Sequence, residues 1–132
     1  MTYWYYPGCS LRSTGRAYEE SLLAVFRALE VPLQELDDWN CCGATSYMSV
    51  DEVQAFALAA RNLALAERLE KAGTHGVQLV TPCNACYLVL SKTQRYIAEH
   101  PDLSQKVQAA LKAIGLSYEG KVKIRHPLDI FV

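Results

Sequence analysis

The sequence contains five cysteines in three groups, and each group lies a few residues after a short segment that favours a β-strand. These segments cover residues 2–6, 33–36 and 76–81, and each ends at or near proline, glycine or aspartate. A fourth segment, residues 121–125, alternates apolar and basic residues as a half-buried strand does. This repeated placement of cysteines after extended segments limits the possible folds more than any other feature of the chain.

Helical patterns separate the extended segments. Apolar residues recur at spacings of three and four over residues 14–30, and further helices are predicted over 51–71, 82–99 and 101–114. The first of these helices carries an apolar stripe that is expected to be buried, made of Tyr18, Leu22, Val25, Phe26 and Leu29. Strands that alternate with helices usually form parallel sheets, so we predict an α/β fold: a small, largely parallel sheet flanked by helices.

The three cysteine groups are expected to converge in such a fold. The C-terminal ends of parallel strands lie at one edge of the sheet, and ligands bind at that edge. The sequence therefore predicts a metal site at the C-terminal edge of the strands. Its candidate ligands are Cys9 after the first strand, Cys41 and Cys42 after the second, and Cys83 and Cys86 after the third.

The local spacings suit a metal. A CxxC motif at a helix start brings two thiolates to one ion, and the first-turn N–H groups stabilise their negative charge. Adjacent cysteines such as Cys41 and Cys42 can bind two metals or bridge them. Five thiolates also exceed the four that a tetrahedral zinc ion or an ordinary cubane cluster takes. This surplus favours an unusual iron–sulfur cluster.

Other interpretations of the cysteines remain open. A zinc site with one spare thiol is the main alternative. A metal-free site in which Cys83 and Cys86 work by thiol–disulfide exchange is another. A framework of structural disulfides fits less well, because the number of cysteines is odd and a reducing cytosol disfavours such bonds.

Composition excludes several classes of protein. The formal net charge is −1 at pH 7, which gives no support for a nucleic-acid-binding surface. No apolar run approaches the roughly 20 residues that cross a bilayer, so no direct membrane insertion is expected. The first eight residues, MTYWYYPG, lack the basic and apolar regions of a signal peptide. We therefore expect a cytoplasmic protein.

Taken in order, Cys9, Cys41-Cys42-Gly43 and Cys83-Asn84-Ala85-Cys86 resemble the motif of the CCG domain, the cysteine-rich module of the heterodisulfide reductase B subunit and its relatives. The flanking residues Tyr5-Tyr6-Pro7-Gly8 and Pro82 carry the same resemblance, which spans nearly the whole chain. It implies that residues 1–132 form one CCG domain, the N-terminal half of a subunit that usually carries two CCG motifs. The apolar residues 130–132 also suggest truncation, or a partner that covers this end.

The resemblance also implies a function. Family members bind a noncubane four-iron, four-sulfur cluster through five cysteines, which makes Cys9, Cys41, Cys42, Cys83 and Cys86 the ligands here. In methanogens the subunit reduces the mixed disulfide of coenzymes M and B. The implied partners are an iron–sulfur subunit that delivers electrons, a flavoprotein subunit and a thiol or disulfide substrate. We thus expect a component of an oxidoreductase; the alternative is a zinc-binding structural module, or an electron-transfer component that contacts no substrate.

Several other residues near the cysteines are candidates for a role. Trp39 and Asn40 precede the vicinal cysteines, and Trp39 either shields the cluster or belongs to the core. His126 follows the last strand, where it either approaches the cluster or a substrate, or is a surface or capping histidine. Three polar residues after Cys9 either meet an anionic substrate or are ordinary surface residues: Ser10, Arg12 and Arg16.

Overall fold

The computed structural model describes residues 3–8, 15–40, 52–68, 77–120 and 122–131. The strands in these ranges are β1 (Tyr3–Tyr5), β2 (Leu33–Glu35), β3 (Val77–Val80) and β4 (Val122–Arg125). The helices are α1 (Arg16–Ala28), α2 (Glu52–Arg68), α3 (Asn84–Glu99), α4 (Pro101–Ala113) and α5 (Pro127–Phe131). None of the helices in these ranges has the length and apolar character that a membrane crossing requires.

The strands form one sheet in the order β2-β1-β3-β4, and every neighbouring pair is parallel. Tyr5 pairs with Glu35 on one side and with Val80 on the other, so the three strands end level with one another. The predicted α/β fold with a small parallel sheet is therefore confirmed. The chain runs outward from β1 to β2 and then returns to β3 on the far side of β1. Open sheets of this kind bind ligands where the strand order reverses, here between the ends of β1 and β3.

Helices cover both faces of the sheet. On one face, Val77 and Leu79 of β3 contribute to a large core shared with α2, α3 and α4. On the other face, Tyr5 and Val80 pack against Leu22 and Phe26 of α1 in a smaller core. Strand β3 is buried along its whole length because it lies inside the sheet between these two layers.

The apolar stripe predicted for α1 is only partly correct. Leu22 and Phe26 are buried, but Tyr18, Val25 and Leu29 are 45%, 43% and 56% exposed. The buried face is instead rotated towards Glu19, whose carboxylate accepts a hydrogen bond of 2.9 Å from the Tyr5 hydroxyl. A buried phenol needs a polar partner, and Glu19 supplies it from the helix above β1.

Candidate metal centre

The CxxC motif lies at the junction of β3 and α3. Cys83 is the N-cap of α3, with extended backbone angles, and its sulfur accepts a hydrogen bond of 3.5 Å from the Cys86 N–H. Cys83 is half-buried, whereas Cys86 is only 3% exposed. Both cysteines therefore lie at the N-terminal end of a 16-residue helix, where the N–H groups of the first turn stabilise negative charge on sulfur.

The chain segment after β1 comes directly against this motif. Gly8 has a φ of +79°, and a β-carbon built on it would lie 2.9 Å from the Cys86 sulfur and 3.8 Å from the Cys83 β-carbon. Glycine is therefore needed both for the backbone angle and for the close approach. Cys9 itself lies outside the described residues. The segment that leads to it nevertheless reaches the CxxC motif at the reversal of the strand order.

The segment after β2 is tied to the same region. The fully buried Tyr6 donates a hydrogen bond of 2.7 Å from its hydroxyl to the Asn40 carbonyl. Trp39 packs edge-on against the Tyr6 ring, with 5.5 Å between the ring centroids, and its indole N–H donates to Glu35. Trp39 therefore belongs to the edge of the core, in agreement with the second interpretation of this residue.

The predicted ligands fall into two groups. Cys83 and Cys86 both lie at the start of α3, whereas Cys41 and Cys42, like Cys9, lie outside the described residues. Within the described ranges, no three side chains of histidine, cysteine, aspartate or glutamate form a group that could hold a metal ion. The part of the candidate centre that is described is therefore the CxxC motif and the backbone that approaches it.

His126 connects the end of β4 to the CxxC motif. Its Nε2 lies 2.9 Å from the Asn84 side-chain oxygen, and Asn84 lies between the two cysteines in sequence. Its Nδ1 accepts a bond of 3.2 Å from the Leu128 N–H, which assigns the ring proton to Nε2 as the donor to Asn84. The Asp129 carboxylate in turn accepts from the His126 N–H at 3.0 Å. The capping role expected of His126 is confirmed, and the same ring also holds the start of α3.

Tyr18 lies beside the motif, where the sequence interpretation did not place it. Its hydroxyl donates a hydrogen bond of 3.4 Å to the Pro82 carbonyl, directly before Cys83. Partial burial and, secondly, the negative charge of a Cys83 thiolate raise the pKa of Tyr18. Helical spacing had assigned Tyr18 to the core stripe, and a periodic pattern alone does not reveal such a contact.

Of the three polar residues after Cys9, Arg16 is described, and its surroundings give no support for a substrate site. Arg16 is exposed, and its Nε lies 3.9 Å from a carboxylate oxygen of Glu20 on the surface of α1. This arrangement agrees with ordinary surface charge. Ser10 and Arg12 lie outside the described residues.

An open parallel sheet with a CxxC motif at the reversal of its strand order defines a cysteine-rich α/β domain. The family model of the CCG cysteine-rich domain matches residues 3–91, and the chain belongs to this family. A solved structure of a hypothetical protein from Helicobacter pylori has the same fold, with a TM-score of 0.77 at 18% identity. It is matched over 98% of this chain and 24% of its own length.

Curated relatives share the sequence over most of this chain. A protein of Archaeoglobus profundus that is similar to the heterodisulfide reductase B subunit is 39% identical over 96% of the chain. The 8-methylmenaquinol:fumarate reductase membrane anchor subunit of Wolinella succinogenes is 28% identical over 91% of it. The B subunit of the ferredoxin/F420H2-dependent CoB-CoM heterodisulfide reductase of Methanosarcina acetivorans is 29% identical over 94% of it. The chain spans 40%, 39% and 40% of the lengths of these relatives, which are components of oxidoreductase complexes.

Proposed function

We propose that the chain binds a noncubane four-iron, four-sulfur cluster through Cys9, Cys41, Cys42, Cys83 and Cys86. In this proposal it serves as a redox subunit of a multi-subunit oxidoreductase that acts on thiols or disulfides. The observation that carries the proposal is the approach of the Gly8 backbone to the Cys86 sulfur. Membership of the CCG family and the heterodisulfide reductase relatives support it.

The described residues fit a metal bound by sulfur. The Cys86 sulfur packs this closely against the Gly8 backbone only because Gly8 has no side chain. Thiolates are the soft ligands that iron–sulfur clusters use, and the start of α3 stabilises their charge. The proposed four irons and five cysteine ligands are those that the resemblance to the CCG family implies.

The surrounding side chains have distinct roles in this proposal. The bound cluster would supply electrons to, or take them from, the sulfur of a substrate. Cys83 and Cys86 would hold it, while His126 and Asn84 fix the first turn of α3 on which both cysteines lie. The Tyr18 hydroxyl donates a hydrogen bond to the Pro82 carbonyl at the rim of the site.

The proposed partners are an iron–sulfur subunit, which exchanges electrons with the cluster, and a flavoprotein subunit. The proposed location is the cytoplasm. The chain has one CCG motif and spans 40% of its Archaeoglobus relative, so complete turnover is assigned to the assembled complex.

Anaerobic reconstitution with iron and sulfide tests the cofactor. We expect about four irons and four sulfides per chain, together with an electron paramagnetic resonance signal from one oxidation state. Single serine variants at each of the five cysteines should reduce the iron content. A preparation that holds one zinc ion and no sulfide after the same treatment would sink the proposal.

A structural zinc site is the second candidate, and the burial of Cys86 favours it. Cys86 is only 3% exposed, and Cys83 already serves as the N-cap of α3. A metal that only holds loops together contributes directly to folding. The variant Cys86→Ser separates the two functions: loss of electron transfer with a retained fold supports the redox role, whereas metal-dependent unfolding supports the structural one.

A further inference from the structure

Helix α2 contains a fully buried amide, Asn62, within a run of alanine and leucine residues. An amide in a core is costly unless its donor and acceptor are both bonded. The Asn62 side-chain oxygen accepts the Asn40 N–H at 3.0 Å, and its side-chain nitrogen donates to the Asn40 carbonyl at 2.9 Å. Asn62 therefore pairs with both backbone groups of Asn40, the residue directly before Cys41.

Tyr6 joins this arrangement from the segment after β1. Its hydroxyl donates to the same Asn40 carbonyl at 2.7 Å and lies 3.5 Å from the Asn62 side-chain nitrogen. Tyr6 lies two residues before Gly8, whose backbone meets the Cys86 sulfur. One set of hydrogen bonds thus connects the start of the vicinal cysteines with the segment that leads to Cys9.

Arg61, the neighbour of Asn62 on α2, fixes the preceding turn. One guanidinium nitrogen donates to the Asn40 side-chain oxygen at 2.8 Å and to the Asp38 carbonyl at 2.7 Å. The other nitrogen donates to the Asp38 carboxylate at 2.7 Å. Asp38 has a φ of +60°, a conformation that L-residues seldom adopt without stabilising contacts. The Asn40 side chain is held as well, because its nitrogen donates to the Leu58 carbonyl at 3.0 Å.

We infer that Asn62 and Arg61 are positioning residues for the vicinal cysteines, because they fix Asn40, from which the chain continues into Cys41 and Cys42. The inference rests on the proposed function, since it assigns these residues to the assembly of one sulfur-ligated centre. It is based on the hydrogen bonds from Asn62 and Arg61, which fix the backbone and side chain of Asn40, the residue directly before the vicinal cysteines.

The test measures how closely the two cysteine loops approach each other without any metal. In a full-length background that retains only Cys42 and Cys86, the equilibrium of their mutual disulfide against glutathione gives an effective concentration. We expect Asn62→Leu and Arg61→Met each to lower it by about tenfold or more, the range in which outer-shell residues affect a metal site. Arg61 is less buried than Asn62, so Arg61→Met provides a result even where Asn62→Leu fails to fold.

A matched control separates positioning from loss of stability. Phe26→Leu destabilises the small core on the opposite face of the sheet and should leave the effective concentration unchanged. Unchanged values in both α2 variants, or no disulfide between Cys42 and Cys86 in the parent background, would overturn the inference. A failed reconstitution with iron and sulfide would overturn the proposed cofactor alone, because the disulfide measurement needs no metal.

Discussion

A β-carbon placed on Gly8 would lie 2.9 Å from the sulfur of Cys86, closer than side-chain carbons approach other atoms in proteins. This pair joins the end of β1 to the start of α3 across the position where the strand order reverses. The sulfur of a candidate ligand therefore rests on a backbone that tolerates only glycine.

The variant Gly8→Ala should reduce both stability and cofactor loading. The added carbon must displace the Cys86 sulfur, and alanine at a φ of +79° costs about 1–2 kcal/mol in addition. The matched control is Gly120→Ala, since Gly120 has a φ of +83° but nothing within 4 Å of its added carbon. Urea unfolding and iron analysis of both variants separate the free-energy cost of alanine at a positive φ from the effect of its contact with the Cys86 sulfur. Equal loss of stability, with full iron content in Gly8→Ala, would contradict the role assigned to this contact.

Substitutions by serine and alanine at Cys83 should separate its role as the N-cap of α3 from its proposed role as a metal ligand. Serine can accept the Cys86 N–H as an N-cap, so Cys83→Ser should keep the stability of the metal-free protein, whereas Cys83→Ala should lose about 1 kcal/mol. Both variants should bind less iron, because neither has a thiolate at this position. The measurements are urea unfolding of the metal-free protein and iron content after reconstitution. Full iron content in Cys83→Ala, which has no donor atom at this position, would remove Cys83 from the ligand set.

The contact between His126 and Asn84 should appear as a coupling between the two residues. The variant His126→Asn retains an acceptor for the Leu128 N–H but is too short to reach Asn84, and Asn84→Ala removes the other partner. A double-mutant cycle measured by urea unfolding should give a coupling free energy of about 0.5–1.5 kcal/mol. Strictly additive effects would mean that the hydrogen bond does not tie β4 to the CxxC motif in solution.

The sequence was sufficient for the parallel α/β fold and for the location of the CxxC motif. Short strands followed by turn residues were recognisable, and Cys83 does follow the end of β3 at Val80. The same reasoning placed His126 after β4, where it caps α5. These predictions succeeded because they depend on local patterns and on one general property of parallel sheets.

The contacts around the site were not predictable in the same way. Asn62 interrupts an apolar helical pattern, but only the fold reveals that it meets the Asn40 backbone. Tyr18 matched the spacing of a core residue, whereas the buried face of α1 is rotated towards Glu19 because Tyr5 requires a partner there. Periodicity identifies which side of a helix is apolar, but not which polar groups on a neighbouring element must be satisfied.

Stability at alkaline pH should depend on Tyr118. Burial is the main cause that raises the pKa of Tyr118 to about 12; a hydrogen bond from Gln94 opposes the shift, and the charge of Glu67 adds to it. The unfolded chain releases the phenolic proton near pH 10 while the folded protein still holds it. The contribution of Tyr118 is therefore complete below about pH 10 and is lost as the pH rises from there to about 12. The shift corresponds to roughly 2–3 kcal/mol of stability.

The variant Tyr118→Phe tests this dependence, because it removes the ionisable group and leaves the ring in the core. Its free energy of unfolding should be lower than that of the wild type at neutral pH, where the hydrogen bond from Gln94 is lost. It should then fall less steeply above about pH 10, so that the two curves converge. Urea unfolding of both proteins at several pH values from about 8 to about 12 checks this result. Curves for the wild type and Tyr118→Phe that stay parallel over this range would show that the folded protein does not retain the Tyr118 proton.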